Sequence, residues 1–145
     1  MQEPIKYRMK LIDPICKPEK QEKGNWTDLR SRIDVTMEEG DECLIPLGIA
    51  VELPSGYEAH VIPRSSTYRR FGIILANSFG LIDNSYCGNS DEWCFHAVAL
   101  RSGKIEKGDR ICQYRIVEVE PETEIEFVED LGNEDRGGLG STGVK

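Results

Sequence analysis

The sequence has no run of 18 apolar residues, and its opening Met1–Lys6 lacks the apolar core of a signal peptide. A soluble, cytoplasmic protein with no membrane partner is expected. Basic charge is short as well: 18 Lys and Arg stand against 26 Asp and Glu, for a formal net charge of −8. Such a balance repels a phosphate backbone, so no nucleic-acid partner is expected. An anionic ligand must then be held locally, by backbone amides, a few arginines or a metal ion. Paired cysteines are missing too. The five cysteines, Cys16, Cys43, Cys87, Cys94 and Cys112, are odd in number, scattered, and form no C-x-x-C pair. They read as reduced core residues, with neither a disulfide framework nor a zinc site indicated. Nor does any segment of helical length show an apolar period of 3.6, with one short exception at Ser65–Phe71. No internal repeat is present.

What the chain does have is short alternating segments between turns, in a length of 145 residues that suits one domain with a real core. Ile5, Tyr7, Met9 and Leu11 alternate with polar residues as a half-buried first strand, ended by Pro14. Lys17–Lys23 is charged and reads as a solvated loop. Ile33, Val35 and Met37 alternate next, followed by a turn at Glu39–Asp41, strands at Leu44–Leu47 and Ile49–Leu53, and a tight turn at Pro54–Gly56. Tyr57, Ala59 and Val61 alternate before Pro63, and further strands are expected in 93–100, 110–119 and 124–128. Ser65–Phe71 suits a two-turn helix capped by serine and stopped by Gly72. Many short strands at regular spacing indicate an all-β sandwich or barrel of jelly-roll type.

Asn77–Gly88 is the stretch where chemistry is expected. Gly80 and Gly88 bracket a hairpin, with Leu81 and Ile82 as strand formers. Backbone groups left unpaired at its mouth need partners, and the edge of a flat heterocycle would suit them. Asp83 follows the apolar pair, where partial burial would keep its carboxylate poorly hydrated and able to deprotonate a water. Tyr86 offers a ring face for a sugar. The same residues also suit an ordinary surface turn.

The C-terminus differs. Residues 132–143 contain five glycines and little to bury, so the segment is expected to be mobile. Glycine also lets consecutive N–H groups form an anion nest, to which Arg136, Ser141 and Thr142 add side-chain donors. Both readings, a phosphate cradle and a disordered end, fit the tail alone. Three more segments carry chemistry. Pro63–Ser66 leads into the short helix with converging N–H and hydroxyl groups. Asp28 is an isolated carboxylate in Trp26–Ser31, a candidate outer-sphere partner of Mg²⁺. Gln113, in Gly108–Gln113, lies on the strand face opposite Cys112 and Tyr114, where its amide can donate to a phosphate oxygen.

In this order, the segments Thr27–Ser31, Pro63–Ser66, Gly80–Asp83 with Tyr86 and Gly88, Gly108–Gln113, and Arg136 with Gly138–Gly143 resemble the five motifs of the homotrimeric dUTP pyrophosphatases (dUTPases). The ending Leu131–Gly143 is similar to that of the bacillus-type and prophage members. The resemblance covers residues 27–143 and implies a jelly-roll β domain over 1–131, a flexible tail over 132–145, a trimer, Mg²⁺, and hydrolysis of dUTP to dUMP and pyrophosphate. By that resemblance Asp83 would activate the attacking water. Tyr86 would stack on the deoxyribose, while Asn77 and the backbone of Gly80, Leu81 and Ile82 would read uracil. Arg64, Ser65, Ser66 and Gln113 would hold phosphates. Asp28 would reach the metal through water, and Arg136, Ser141 and Thr142 would close on the γ-phosphate.

The chain departs from the family pattern in its last motif, where Leu139 stands in place of a phenylalanine that lids the uracil, and where the spacing from Arg136 to Leu139 is short. Trp93 is the candidate replacement lid; a core tryptophan opening a strand is the other reading. His60 and His96 lie in strand patterns and are expected to be structural. The dCTP deaminases share the fold and an Arg-Ser-Ser motif like Arg64–Ser66, but need a glutamate on the strand after the hairpin. Cys94–Leu100 contains no acid, which disfavours deamination, and zinc-type deaminases are excluded by the lack of H-x-E with P-C-x-x-C. A regulatory role toward a protein partner is an alternative addition, since phage dUTPases can act as protein ligands.

Overall fold

Period-2 alternation over Tyr57–Pro63 puts Ala59 and Val61 on one face and His60 and Ile62 on the other, and in the computed structural model the first pair is buried. The structure describes residues 3–138 and 140. The chain is nearly all β, as the strand spacing predicts, and the jelly-roll class holds. Its strands are β1 Arg8–Leu11, β2 Glu19–Lys20, β3 Thr27–Arg30, β4 Val35–Met37, β5 Glu42–Pro46, β6 Ile49–Glu52, β7 Tyr57–Pro63, β8 Ile73–Leu75, β9 Gly80–Ile82, β10 Cys94–Ala99, β11 Gly103–Ile105 and β12 Arg110–Glu118. One helix, α1 Thr67–Phe71, follows β7. The largest sheet runs β2-β3-β12-β7-β9, and a second runs β5-β10-β8; β1 pairs with β6 and β11 with β4.

Between the layers lie Leu29, Ile45, Leu47, Ile49, Trp93, Phe95 and Ile111, each fully buried. Burial of side chains of this size stabilises by roughly 1.5–3 kcal/mol each. β10 shows the logic: Phe95, Ala97 and Ala99 point inward, while Cys94, His96 and Val98 point out.

Several expectations need correction. Lys17–Lys23 is not all loop, because Glu19 and Lys20 pair with Asp28 and Thr27 at a sheet edge. The helix is a single short turn of five residues, and Ser66 at its N-cap makes no side-chain cap. Gly72 does stop it in the left-handed conformation, φ 71°. Asn77–Gly88 is not a self-paired hairpin. β8 joins β10, whereas β9 joins β7 with Val61 facing Gly80 and Ala59 facing Ile82. A Cβ on Gly80 would stand 2.9 Å from the Val61 carbonyl oxygen, so only glycine permits that approach. The strand expected at 124–128 does not form; that segment has no assigned secondary structure. All five cysteines are free, yet only Cys16 and Cys112 are buried; Cys87 and Cys94 are exposed. Among the described residues no helix is long and apolar enough to cross a membrane.

Candidate active site

Because β9 lies at the edge of its sheet, its outer backbone groups face no strand, and its residues form one wall of a cavity of about 450 Å³. Gly80, Leu81, Ile82 and Asp83 line it together with Asn77, Tyr86 and Trp93. The sequence placed these residues in one stretch or just beyond it; the structure brings them around one hollow, with Val61 and Leu75 as apolar lining. A hollow of about 540 Å³ elsewhere, between Arg8 and Pro54, is lined by none of them.

Asn77 enters from the turn after β8, where Ser78 takes a left-handed φ of 61°. One amide N–H of Asn77 donates to the Phe79 carbonyl at 3.3 Å, which leaves its carbonyl oxygen and second N–H free. Tyr86 is held by its hydroxyl, which donates to the Glu92 carbonyl at 3.0 Å. Burial raises the Tyr86 phenol above its ordinary pKa, so it stays protonated and a donor. Glu92 is itself fixed: its carboxylate accepts Arg32 Nε at 2.7 Å and the Gly48 N–H at 2.8 Å. Sequence reasoning missed this latch, since Arg32 and Glu92 are far apart and no local pattern links them. His96, which also lines the cavity, pairs with Glu42 at 2.7 Å, and His60 with Glu58 at 2.6 Å. Cys94, exposed overall, sets its thiol in the cavity wall, where partial desolvation raises its pKa and keeps it neutral.

Asp83 is exposed, not partly buried, because β9 ends at Ile82 and Asp83 opens the next turn, accepting the Tyr86 N–H at 3.1 Å. Of the two readings of Trp93, a lid or a core tryptophan opening a strand, its burial fits the second. Its indole has no exposed surface, meets Tyr114 edge-on at 5.2 Å, and forms wall rather than cover. Among the described residues its Nε1 has no hydrogen-bond partner, and its backbone is tied to Ile49 and Leu47.

A second cluster lies where β7 ends. From Val61 in the cavity wall to Arg64 is three residues, roughly 10 Å of extended chain. Arg64 Nε lies 3.3 Å from Asp28 Oδ1, and Arg110 Nη1 lies 3.3 Å from Asp28 Oδ2. Two guanidinium groups around one carboxylate leave a local surplus of one positive charge in an acidic chain. Gln113 donates its amide to the Pro63 carbonyl at 3.2 Å and keeps one N–H free. Ser65 and Ser66 follow Arg64 at the start of α1.

Asp28, expected to reach a metal through water, is enclosed by cations. It is 4% exposed and both oxygens face guanidinium groups, with Gln21 Nε2 at 3.4 Å as a further donor. No group of three or more His, Cys, Asp or Glu side chains able to hold a metal exists among the described residues. These residues do not fit a Mg²⁺ site built by the protein. Arg136 lies exposed in the C-terminal segment, outside the cavity lining. Leu139, Ser141 and Thr142 lie outside the described residues.

The family model for dUTPase matches residues 14–143. A prophage-derived deoxyuridine 5′-triphosphate nucleotidohydrolase of Bacillus subtilis is 54% identical over 145 residues, covering 100% of both chains. A deoxyuridine 5′-triphosphate nucleotidohydrolase of Neorickettsia sennetsu is 38% identical over 122 residues, 81% of this chain and 80% of its own. Among solved structures, a Staphylococcus bacteriophage 80alpha dUTPase with dUpNHpp superposes at a TM-score of 0.78 with 22% identity, covering 96% of this chain and 99% of that one. The dUTPase of phage phi11 of S. aureus, described with a structural Mg(II) ion, superposes at 0.74 with 18% identity over 88% of this chain and 99% of that one. At those identities the structural likeness speaks to the fold.

Proposed function

The chain belongs to the dUTPase family, and we propose that it hydrolyses dUTP to dUMP and pyrophosphate in the cavity beside β9. The observation that carries this reading is the gathering of Asn77, the β9 backbone, Asp83 and Tyr86 around one hollow, at the end of β7 that leads to Arg64. Asn77 offers one donor and one acceptor, and the outer edge of β9 offers backbone groups, a set that suits the edge of uracil. Asp83 takes a proton from a water whose oxygen bonds to the α-phosphorus. The bond from that phosphorus to the bridging oxygen breaks, and pyrophosphate leaves. Arg64, Ser65, Ser66 and Gln113 hold the phosphates, so the chain contributes mainly positioning and charge neutralisation. The direct test is product identification after incubation with dUTP, dCTP and dTTP. Release of dUMP and pyrophosphate from dUTP alone is expected; turnover of dCTP to a deaminated product would replace the reading.

Tyr86 sets the sugar preference. With its hydroxyl tied to Glu92, the ring stays against the deoxyribose and leaves no space for a 2′-hydroxyl. UTP is expected to show a kcat/KM at least about tenfold below that of dUTP, and Tyr86→Ala to narrow the gap. Equal turnover of both by the wild type would remove Tyr86 from this role.

A Mg²⁺ ion is expected to arrive with the triphosphate, whose oxygens supply ligands that the described residues lack. Asp28 then acts by holding Arg64 and Arg110 together, because removing its charge leaves two guanidinium groups facing each other. Asp28→Asn is expected to raise KM for dUTP roughly tenfold while the Mg²⁺ concentration for half-maximal rate stays put. A rise in that concentration at unchanged KM would return Asp28 to the metal.

A homotrimer completes the site. Beyond Val119, which donates its N–H to Gly56, the chain continues without regular secondary structure among the described residues, with Ile125 73%, Phe127 89% and Leu131 80% exposed. Side chains this apolar at such exposure want a partner surface, and a second copy that receives this segment would receive Arg136, Ser141 and Thr142 with it.

A further inference from the structure

The peptide unit between Pro63 and Arg64 is gripped at both polar ends by side chains. Gln113 donates to the Pro63 carbonyl at 3.2 Å, and the Arg64 N–H donates to Thr67 Oγ1 at 2.8 Å. The Thr67 hydroxyl donates in turn to the Ile111 carbonyl at 2.8 Å, and Thr67 is 1% exposed.

Ile111 is where β12 slips its register against β3, for Arg110 faces Arg30 while the next paired residue, Cys112, faces Leu29. A residue inserted this way loses its ladder partner, and Ile111 is fully buried, so its carbonyl must be satisfied from elsewhere. A hydroxyl has one donor and two acceptor sites, so Thr67 can serve this stranded acceptor and the stranded Arg64 donor at once. Packing alone does not call for it: an apolar side chain fills a buried position without the cost of burying a hydroxyl.

We propose that Thr67 is a positioning residue for the triphosphate, its hydroxyl bracing the Arg64–Ser66 turn against β12 so that the phosphate donors stand preorganised. This rests on the dUTP reading of the same site, although Thr67 itself touches no substrate. On one side of the brace stand Arg64, Ser65 and Ser66; on the other stand Arg110 and Gln113. The cavity around Asn77 lies outside it.

Thr67→Val keeps the shape and removes the bridge. Binding of deoxyuridine and of a non-hydrolysable dUTP analogue, steady-state kinetics, and exchange of the Arg64 amide by NMR read the result. Analogue affinity and kcat/KM for dUTP are expected to fall about tenfold or more, with deoxyuridine affinity held within about threefold and the Arg64 amide exchanging faster. Thr67→Ser should restore all three. Equal losses on deoxyuridine and analogue would show a merely structural residue and overturn the proposal, as would no loss at all or a folded serine variant no better than valine. Should the valine variant fail to fold, Thr67→Ala, which lacks both hydroxyl and branch, carries the same comparison. Failure of the wild type to hydrolyse dUTP would sink the functional reading instead, and the Arg64 exchange would still report on the brace.

Discussion

Asp83→Asn is expected to lower kcat by at least about 10²-fold while leaving the affinity for a non-hydrolysable dUTP analogue near that of the wild type. Asparagine keeps the size of the side chain and loses only the capacity to take a proton. Asp83 begins the turn after β9, its backbone carbonyl bonded to the Tyr86 N–H, so the backbone of the turn does not depend on the carboxylate. The loss should therefore fall on the chemical step. A variant with more than a tenth of wild-type kcat would remove Asp83 as the base. Asp83 is exposed in the isolated chain, so water around it must be excluded by the bound nucleotide and by whatever covers the cavity.

The strands were legible where a local rule governs them. Ala59 and Val61 in β7, and Phe95, Ala97 and Ala99 in β10, alternate because one face of each strand is buried, and the period is visible in sequence. Partner choice is not local. Asn77–Gly88 has the residues of a hairpin, yet β8 and β9 go to different sheets, because glycine and asparagine mark a reversal without saying what the flanking strands pair with. The expected strand at 124–128 has the right pattern, and among the described residues nothing pairs with it, so no strand forms there.

The chemistry divides in the same way. Asn77, Asp83 and Tyr86 sit close in sequence and line one cavity. The groups that hold them do not: Glu92 fixes Tyr86 and is fixed by Arg32 across the fold, and Thr67 reaches Ile111 only because β12 bulges there. Asp28 looked isolated in sequence because Arg64 approaches it from just beyond β7 and Arg110 from the start of β12. Trp93 admitted two readings, lid or core, because nothing in its neighbours announces that its indole fills the core beside Tyr114.

Truncation after Asn133 is expected to leave the fold and the assembly intact and to lower kcat/KM for dUTP by well over tenfold. The described residues removed, 134–138 and 140, are all exposed, so the body loses no buried surface. What is lost is Arg136 with Ser141 and Thr142, the donors proposed for the γ-phosphate. Ordering a glycine-rich segment costs roughly 1–2 kcal/mol of backbone entropy per residue, so charge-assisted contacts to that phosphate must drive closure. A diphosphate ligand should then fail to protect the segment from proteolysis near Arg136, and a non-hydrolysable triphosphate should protect it. Truncation after Glu120 is the contrasting cut. It also removes Ile125, Phe127, Val128 and Leu131, exposed in the single chain, and should release monomers detectable by light scattering. Full activity of the shorter cut with unchanged cleavage rates would reduce the tail to a disordered end. An intact oligomer after the longer cut would move the subunit interface away from that segment.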